Sequence, residues 1–201
     1  MKSKNVISNE YFYCEHLFER NDIVEELKNS FCVYHESGKG LEIYLKEQSG
    51  IDEIYNENRT YIVRDYKTDE IAGFFSLKAG LFSLEEKTYF SLDGKKIEFE
   101  TLPGIELAEF AVNQGYISEH PEKKGCGMII FNELIVPIVK KVQEIIGVKV
   151  LYIFALPEER LIDMYTNDYY FRRLDKCDED NLHKRIKPRF DYGCVFMYQL
   201  I

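Results

Sequence analysis

The spacing of apolar positions changes at Arg59. Before it, apolar residues recur at helical intervals. Ile23, Val24 and Leu27 mark a helix expected from Asn21 to Phe31, with Asn21 or Asp22 as its cap. After a turn at Ser37-Gly38-Lys39-Gly40, the positions Leu41, Ile43, Tyr44, Leu45, Ile51, Ile54 and Tyr55 predict a second helical stretch, broken into two pieces at Ser49-Gly50. From Arg59 the residues become β-branched and aromatic. Tyr61–Asp65 and Ile71–Leu77, joined by the polar Lys67–Glu70, predict an antiparallel pair. Tyr89–Leu92 and Lys96–Glu100 around Asp93-Gly94 predict another hairpin. Ile105–Val112 has the apolar content of a central strand.

The second half alternates in type. Gly127–Ile146 carries the longest helical stripe (Phe131, Leu134, Ile135, Ile138, Val142, Ile145), which Pro137 should kink because it has no N–H for the carbonyl of Glu133. Val148–Leu156 is nearly all apolar, as in a strand covered on both faces. A short helix over Glu158–Asn167 follows, then closing strands at Phe171–Leu174 and Cys194–Leu200. This order predicts an α/β fold whose mixed sheet includes a βαβ unit, in one domain over residues 1–201.

Composition narrows the class. The 201 residues are 45% hydrophobic and 30% charged, enough for a large core, and the formal charge of −9 argues against a broadly basic face for nucleic acid or membrane. The segment Arg172–Arg189 runs against this trend, with seven basic residues and four acidic ones. It suits either a phosphate group or a solvated loop. The residues Met1–Glu10 contain no apolar run of the leader type, and the most apolar stretch, Met128–Val139, is too short and too polar to span a bilayer. A cytoplasmic location is expected. Five scattered cysteines, none at C-x-x-C spacing, predict reduced thiols and no metal site.

One segment carries candidate chemistry. Lys123-Lys124-Gly125-Cys126-Gly127-Met128 stands between a strand and a long helix. Its glycines let backbone approach a ligand, the helix start favours an anion, and Lys123 and Lys124 add positive charge. The same residues would also serve as a tight strand-to-helix loop. The spacing fits neither the P-loop nor the dinucleotide G-x-G-x-x-G pattern, since Ile130 stands at the third glycine's place.

With Phe110-Ala111-Val112 ending the preceding strand and Tyr165 on a later helix, the chain resembles the GNAT N-acetyltransferases over roughly Phe31–Leu174. The family's R/Q-x-x-G-x-G/A signature aligns with Glu122–Gly127, with Glu122 in the first position. Leu161-Ile162-Asp163-Met164-Tyr165 and Phe171-Arg172-Arg173-Leu174 are similar to its "LI-x-x-Y…GF-x-x-L", with Tyr170 in place of the glycine. The resemblance implies a central mixed sheet of six to seven strands flanked by helices, and acetyl-CoA as cosubstrate without a metal. It implies that Phe110–Val112 pair with the pantetheine arm, that Lys123–Met128 hold the pyrophosphate, and that Tyr165 protonates the leaving thiolate. Phe31–Leu45, Thr60–Val63 and Ala72–Leu77 look most like the toxin–antitoxin branch, whose members acetylate aminoacyl-tRNA.

Glu106, six residues before Val112, occupies the place of the catalytic glutamate in the family's histone-acetylating branch. Strand alternation sets it with Ala108, Phe110 and Val112, opposite Glu109. It is either the base or a carboxylate paired to a lysine, with water as the base in its absence. His120, in what reads as a long loop from Asn113 to Glu122, is a proton relay or a solvated residue. Cys126 contributes its backbone, and its thiol at a helix start suggests that alkylation would block the site. The expected acceptor is a small-molecule or peptide amine. A tRNA acceptor is open but disfavoured by charge, a non-catalytic CoA-binding module is the reading from another class, no membrane is involved, and a homodimer is compatible.

Overall fold

The computed structural model describes residues 6–19, 23–184 and 193–201. The expected cap at Asn21 or Asp22 and the basic residues Arg185, Lys187 and Arg189 lie outside these. Strands β1 (Ile7–Ser8), β2 (Phe12–His16), β3 (Arg59–Asp65), β4 (Ile71–Ser91), β5 (Gly94–Val112), β6 (Val150–Ala155), β7 (Arg172–Arg173) and β8 (Val195–Leu200) form one eight-stranded sheet in the order β1-β2-β3-β4-β5-β6-β8-β7. Only β5 and β6 among the paired strands with a described register run parallel, with Gly104–Glu106 opposite Val150–Tyr152. The fold is the mixed α/β sheet expected, with eight strands where six to seven were expected, since β1 and β2 extend it beyond β3.

The helices are α1 (Ile23–Ser30), α2 (Lys39–Ile43), α3 (Ser49–Ile54), α4 (Gln114–Glu119), α5 (Cys126–Ile130), α6 (Val136–Ile145), α7 (Glu159–Asn167) and α8 (Lys176–His183). Two π-turns join neighbours into longer runs. Tyr44–Gln48 links α2 to α3, so Ser49-Gly50 does not break the stretch; the Ser49 hydroxyl instead donates back to the carbonyl of Leu45 at 2.6 Å. Phe131–Ile135 links α5 to α6, with the N–H of Val136 donating to the carbonyl of Phe131. This wider turn directly precedes Pro137 and accommodates its missing donor. The expected turn at Ser37–Gly40 is a 3-10 turn over Glu36–Gly38 that runs straight into α2.

The chain divides into two compact units, Met1–Lys78 with Leu107–Lys141, and Ala79–Glu106 with Val142–Ile201. In the first, Ile23 and Leu27 of α1 join Phe31, Tyr44, Leu45, Ile62 and Phe74 in one apolar cluster. The Phe31 ring meets Phe74 edge-on at 5.4 Å. In the second, Phe82, Val150, Tyr152, Leu174, Leu182 and Phe196 form another. Helix α8 supplies Leu182 and also Glu179, whose carboxylate accepts from the Phe196 N–H at 2.7 Å and from Arg173 at 2.6 Å.

The first unit also buries a charge. Arg64, 1% exposed, donates to Glu15 at 2.6 Å, to both carboxylate oxygens of Glu26 at 2.7 Å, and to the carbonyl of Asp69 at 2.8 Å. The guanidinium thereby ties β2, α1 and the β3–β4 turn to one point. Arg64→Met removes the guanidinium that Glu15, Glu26 and the Asp69 carbonyl share and is expected to destabilise the protein by about 3–5 kcal/mol, read as a lower urea midpoint. An unchanged midpoint would show that the cluster contributes nothing to stability.

Candidate active site

The β5 strand ends at Val112, and Asn113 sets the course of the chain beyond it. Its backbone N–H donates to the carbonyl of Ala72 at 2.9 Å. Its side-chain amide donates to the carbonyls of Ser30 and Ile71 at 2.8 and 2.7 Å, and its Oδ1 accepts from the N–H of Gly115 and Cys32 at 3.1 and 3.2 Å. Asn113 is therefore the N-cap of a helix. The segment read as a long loop is α4 followed by a 3-10 turn, Pro121–Lys123. An asparagine directly after an apolar strand was the available signal.

Gly125 then adopts φ 89°, and an added Cβ would meet nothing within 4 Å. The loop needs glycine for its left-handed backbone, and the space beside it is open. Cys126–Ile130 starts the helical run that continues to Ile145, so the amides of Cys126, Gly127 and Met128 stand at its positive end. Lys124 is exposed. Lys123 turns its ammonium toward Asp65 Oδ2 at 3.8 Å and over the rings of Tyr11 and Phe12, with centroids at 5.0 and 5.5 Å.

Asp65 anchors this arrangement. It is 3% exposed and accepts from the Tyr116 hydroxyl at 2.5 Å and from the N–H groups of Lys67 and Thr68 at 2.7 and 3.2 Å. Burial alone would raise its pKa, but these donors and the Lys123 charge hold it below the ordinary carboxylate value. Sequence reasoning missed Asp65, Tyr116 and Asn113, because their roles arise from contacts between distant segments.

His120 is not solvated at random. Its Nε2 lies 2.7 Å from Glu70 Oε2 and its Nδ1 3.5 Å from Glu122 Oε1. The hydrogen bond to Glu70 raises its pKa above the ordinary histidine value. Glu70, Glu119 and His120 place ligand-type atoms within 4.8 Å of one another, the histidine already bonded to Glu70. The segment from Arg172 is not a plain loop either. It contains β7 and α8, with Arg172 and Lys176 exposed and Arg173 paired to Glu179.

Phe110, Ala111, Val112 and the residues Lys123–Met128 all belong to the first unit, and Glu106 and Tyr165 to the second. Along β5, Ile105, Leu107 and Ala111 are buried, while Glu106, Ala108, Glu109, Phe110 and Val112 are half-buried. Glu106 accepts from the Tyr152 hydroxyl at 3.4 Å. Tyr165 is half-buried on α7, its ring 5.7 Å from Tyr169 and 5.8 Å edge-on from Phe171. Its carbonyl accepts from the Phe171 N–H at 2.9 Å across a turn in which Tyr170 takes φ 60°. A tyrosine therefore holds the left-handed position where the family pattern has glycine.

No family model and no curated protein matches the sequence. Solved structures do, and they show the fold: the mixed sheet flanked by helices of the GNAT fold. The chain is similar to a tyrosine-to-phenylalanine mutant of KacT, at TM-score 0.63 and 15% identity over 94% of this chain and 95% of that one. It is similar to AtaTR bound with AcCoA, at TM-score 0.59 and 15% identity over 94% of each chain. It is also similar to AtaT complexed with acetyl-methionyl-tRNAfMet, at TM-score 0.59 and 17% identity over 92% and 93%.

The Cys126 thiol is 2% exposed, and burial pushes its pKa up to about 11. This overturns the expectation of a reactive thiol at the helix start. Under iodoacetamide in native buffer at pH 8, exposed Cys177 is expected to label first, and Cys126 only after denaturation. Peptide mass spectrometry showing equal rates for both would contradict this burial.

Proposed function

We propose that the protein is an N-acetyltransferase that moves the acetyl group of acetyl-CoA to a primary amine by direct attack. The observation that carries this reading is the loop at Gly125. A left-handed glycine with open space beside it begins a helical run just after the strand–helix segment of a GNAT sheet. The amides of Cys126 and Gly127 and the exposed Lys124 suit the pyrophosphate, the Met128 N–H being donated to the Gly125 carbonyl at 3.2 Å, and the backbone of Phe110–Val112 suits the pantetheine arm. A similar fold in AtaTR is bound with AcCoA.

In this scheme the amine loses its proton to Glu106 or to water and attacks the thioester carbonyl. The tetrahedral intermediate collapses, the carbon–sulfur bond breaks, and Tyr165 protonates the departing thiolate. No acyl-enzyme forms.

Aminoacyl-tRNA is the acceptor of a second reading. The AtaT complex with acetyl-methionyl-tRNAfMet favours it, as do the exposed Arg172 and Lys176, while the net charge of −9 weighs against it. A thiol-release assay with acetyl-CoA and one of three acceptors separates these readings: spermidine, a glycyl peptide and methionyl-tRNA. Release with either of the first two supports a small or peptide amine. Release with methionyl-tRNA alone, falling steeply with salt, supports the second reading. Tyr165→Phe is expected to lower kcat about 100-fold or more with little change in KM for acetyl-CoA. Thiol release from no acceptor, with acetyl-CoA still bound, would leave a CoA-binding module.

A further inference from the structure

Strand β6 is apolar on both faces except for one phenol. Tyr152 is 3% exposed, stands opposite Glu106 in the parallel ladder, and pairs with Tyr198 on its other side. Its ring packs on Phe82 at 5.2 Å and on Phe154 at 5.6 Å. A phenylalanine would fill that space equally well. The hydroxyl is the difference, and it donates to Glu106 Oε2 at 3.4 Å.

Two glycines on neighbouring strands clear the way for this side chain. A Cβ at Gly80 would collide with the Tyr152 oxygen and lie 3.4 Å from Cζ. A Cβ at Gly104 would lie 3.0 Å from Tyr152 Cδ1, as well as 2.5 Å from Val150 Cγ2. At Gly80 the conflict is with the hydroxyl first and the ring second, so that glycine makes room for an oxygen aimed at a carboxylate.

We propose that Tyr152 is a positioning residue for Glu106, its hydroxyl orienting the carboxylate and favouring its ionised form. This rests on the reading of Glu106 as the base that takes the proton of the attacking amine. Tyr152 keeps its own proton throughout. Burial, with the neighbouring Glu106 charge, raises its pKa above the ordinary phenol value, so it remains a donor.

Two readouts test this separately. The first needs no substrate: a titration of the Glu106 carboxyl by NMR in protein labelled at glutamate Cδ, assigned by its disappearance in Glu106→Gln. Tyr152→Phe is expected to raise that pKa by about one unit, because a donor to the charged form is lost. The second is the acid limb of kcat/KM against pH, using whichever of spermidine, glycyl peptide or methionyl-tRNA releases thiol. The limb should move upward by the same amount, with KM for acetyl-CoA unchanged.

A carboxyl pKa that stays in place in Tyr152→Phe overturns the inference. A carboxyl that moves while the acid limb does not overturns Glu106 as base, and with it this role for Tyr152.

Gly80→Ala keeps the test open if Tyr152→Phe fails to fold. It should displace the hydroxyl and reproduce the upward shift. Combined with Tyr152→Phe it should add no further shift and be tolerated better than alone, since the atom in conflict is gone. Equal destabilisation by Gly80→Ala in both backgrounds would show that the glycine serves packing only and would overturn the inference.

Discussion

A buried carboxylate at the end of β3 holds together much of the chain around the glycine loop. Asp65 ties the β3–β4 turn through two backbone amides, α4 through the Tyr116 hydroxyl, and the residue two before Gly125 through the Lys123 ammonium. Its neighbour Arg64 performs the same task toward β2 and α1. A carboxylate in this position is tolerated because donors surround it, and the same donors keep it ionised. The left-handed Gly125 and the helix start after it thus rest on a polar frame within the first unit rather than on loop sequence alone.

That frame explains why some of the molecule was legible in its sequence and some was not. The hairpin around Lys67–Glu70, the buried strand at β6 and the helix carrying Tyr165 are local patterns, and each lies where its periodicity placed it. The short strands β1 and β2 left no signal of their own. β2 becomes a strand by pairing with β3, as Cys14 opposite Val63 and Glu15 opposite Ile62 illustrate, and β1 by pairing with β2. The π-turns at Tyr44–Gln48 and Phe131–Ile135 escaped notice because an inserted residue leaves the helical pattern nearly intact. α8 was hidden by its charge, which read as a solvated loop.

Candidate site residues divide in the same way. The glycines stood out by type and spacing, and Tyr165 and Glu106 through the resemblance to the family's pattern. Asn113, Asp65, Tyr116, Tyr152 and Gly80 did not, because each acts on a segment far away in sequence. Gly80 in particular carries no motif, yet a single carbon there would collide with the hydroxyl that faces Glu106. Charge shows a related limit. A net of −9 describes the whole chain, whereas recognition of a phosphate or a polynucleotide depends on a few exposed lysines and arginines.

The central claim is that the loop at Gly125 receives acetyl-CoA, and a calorimetric titration tests it most directly. Wild-type protein is expected to bind acetyl-CoA with a dissociation constant in the micromolar range (about −8 kcal/mol). Gly125→Glu puts a carboxylate where the pyrophosphate would lie and should abolish binding while the circular dichroism spectrum stays native. Absence of binding by the wild type, or undiminished binding by a folded Gly125→Glu, would contradict the account.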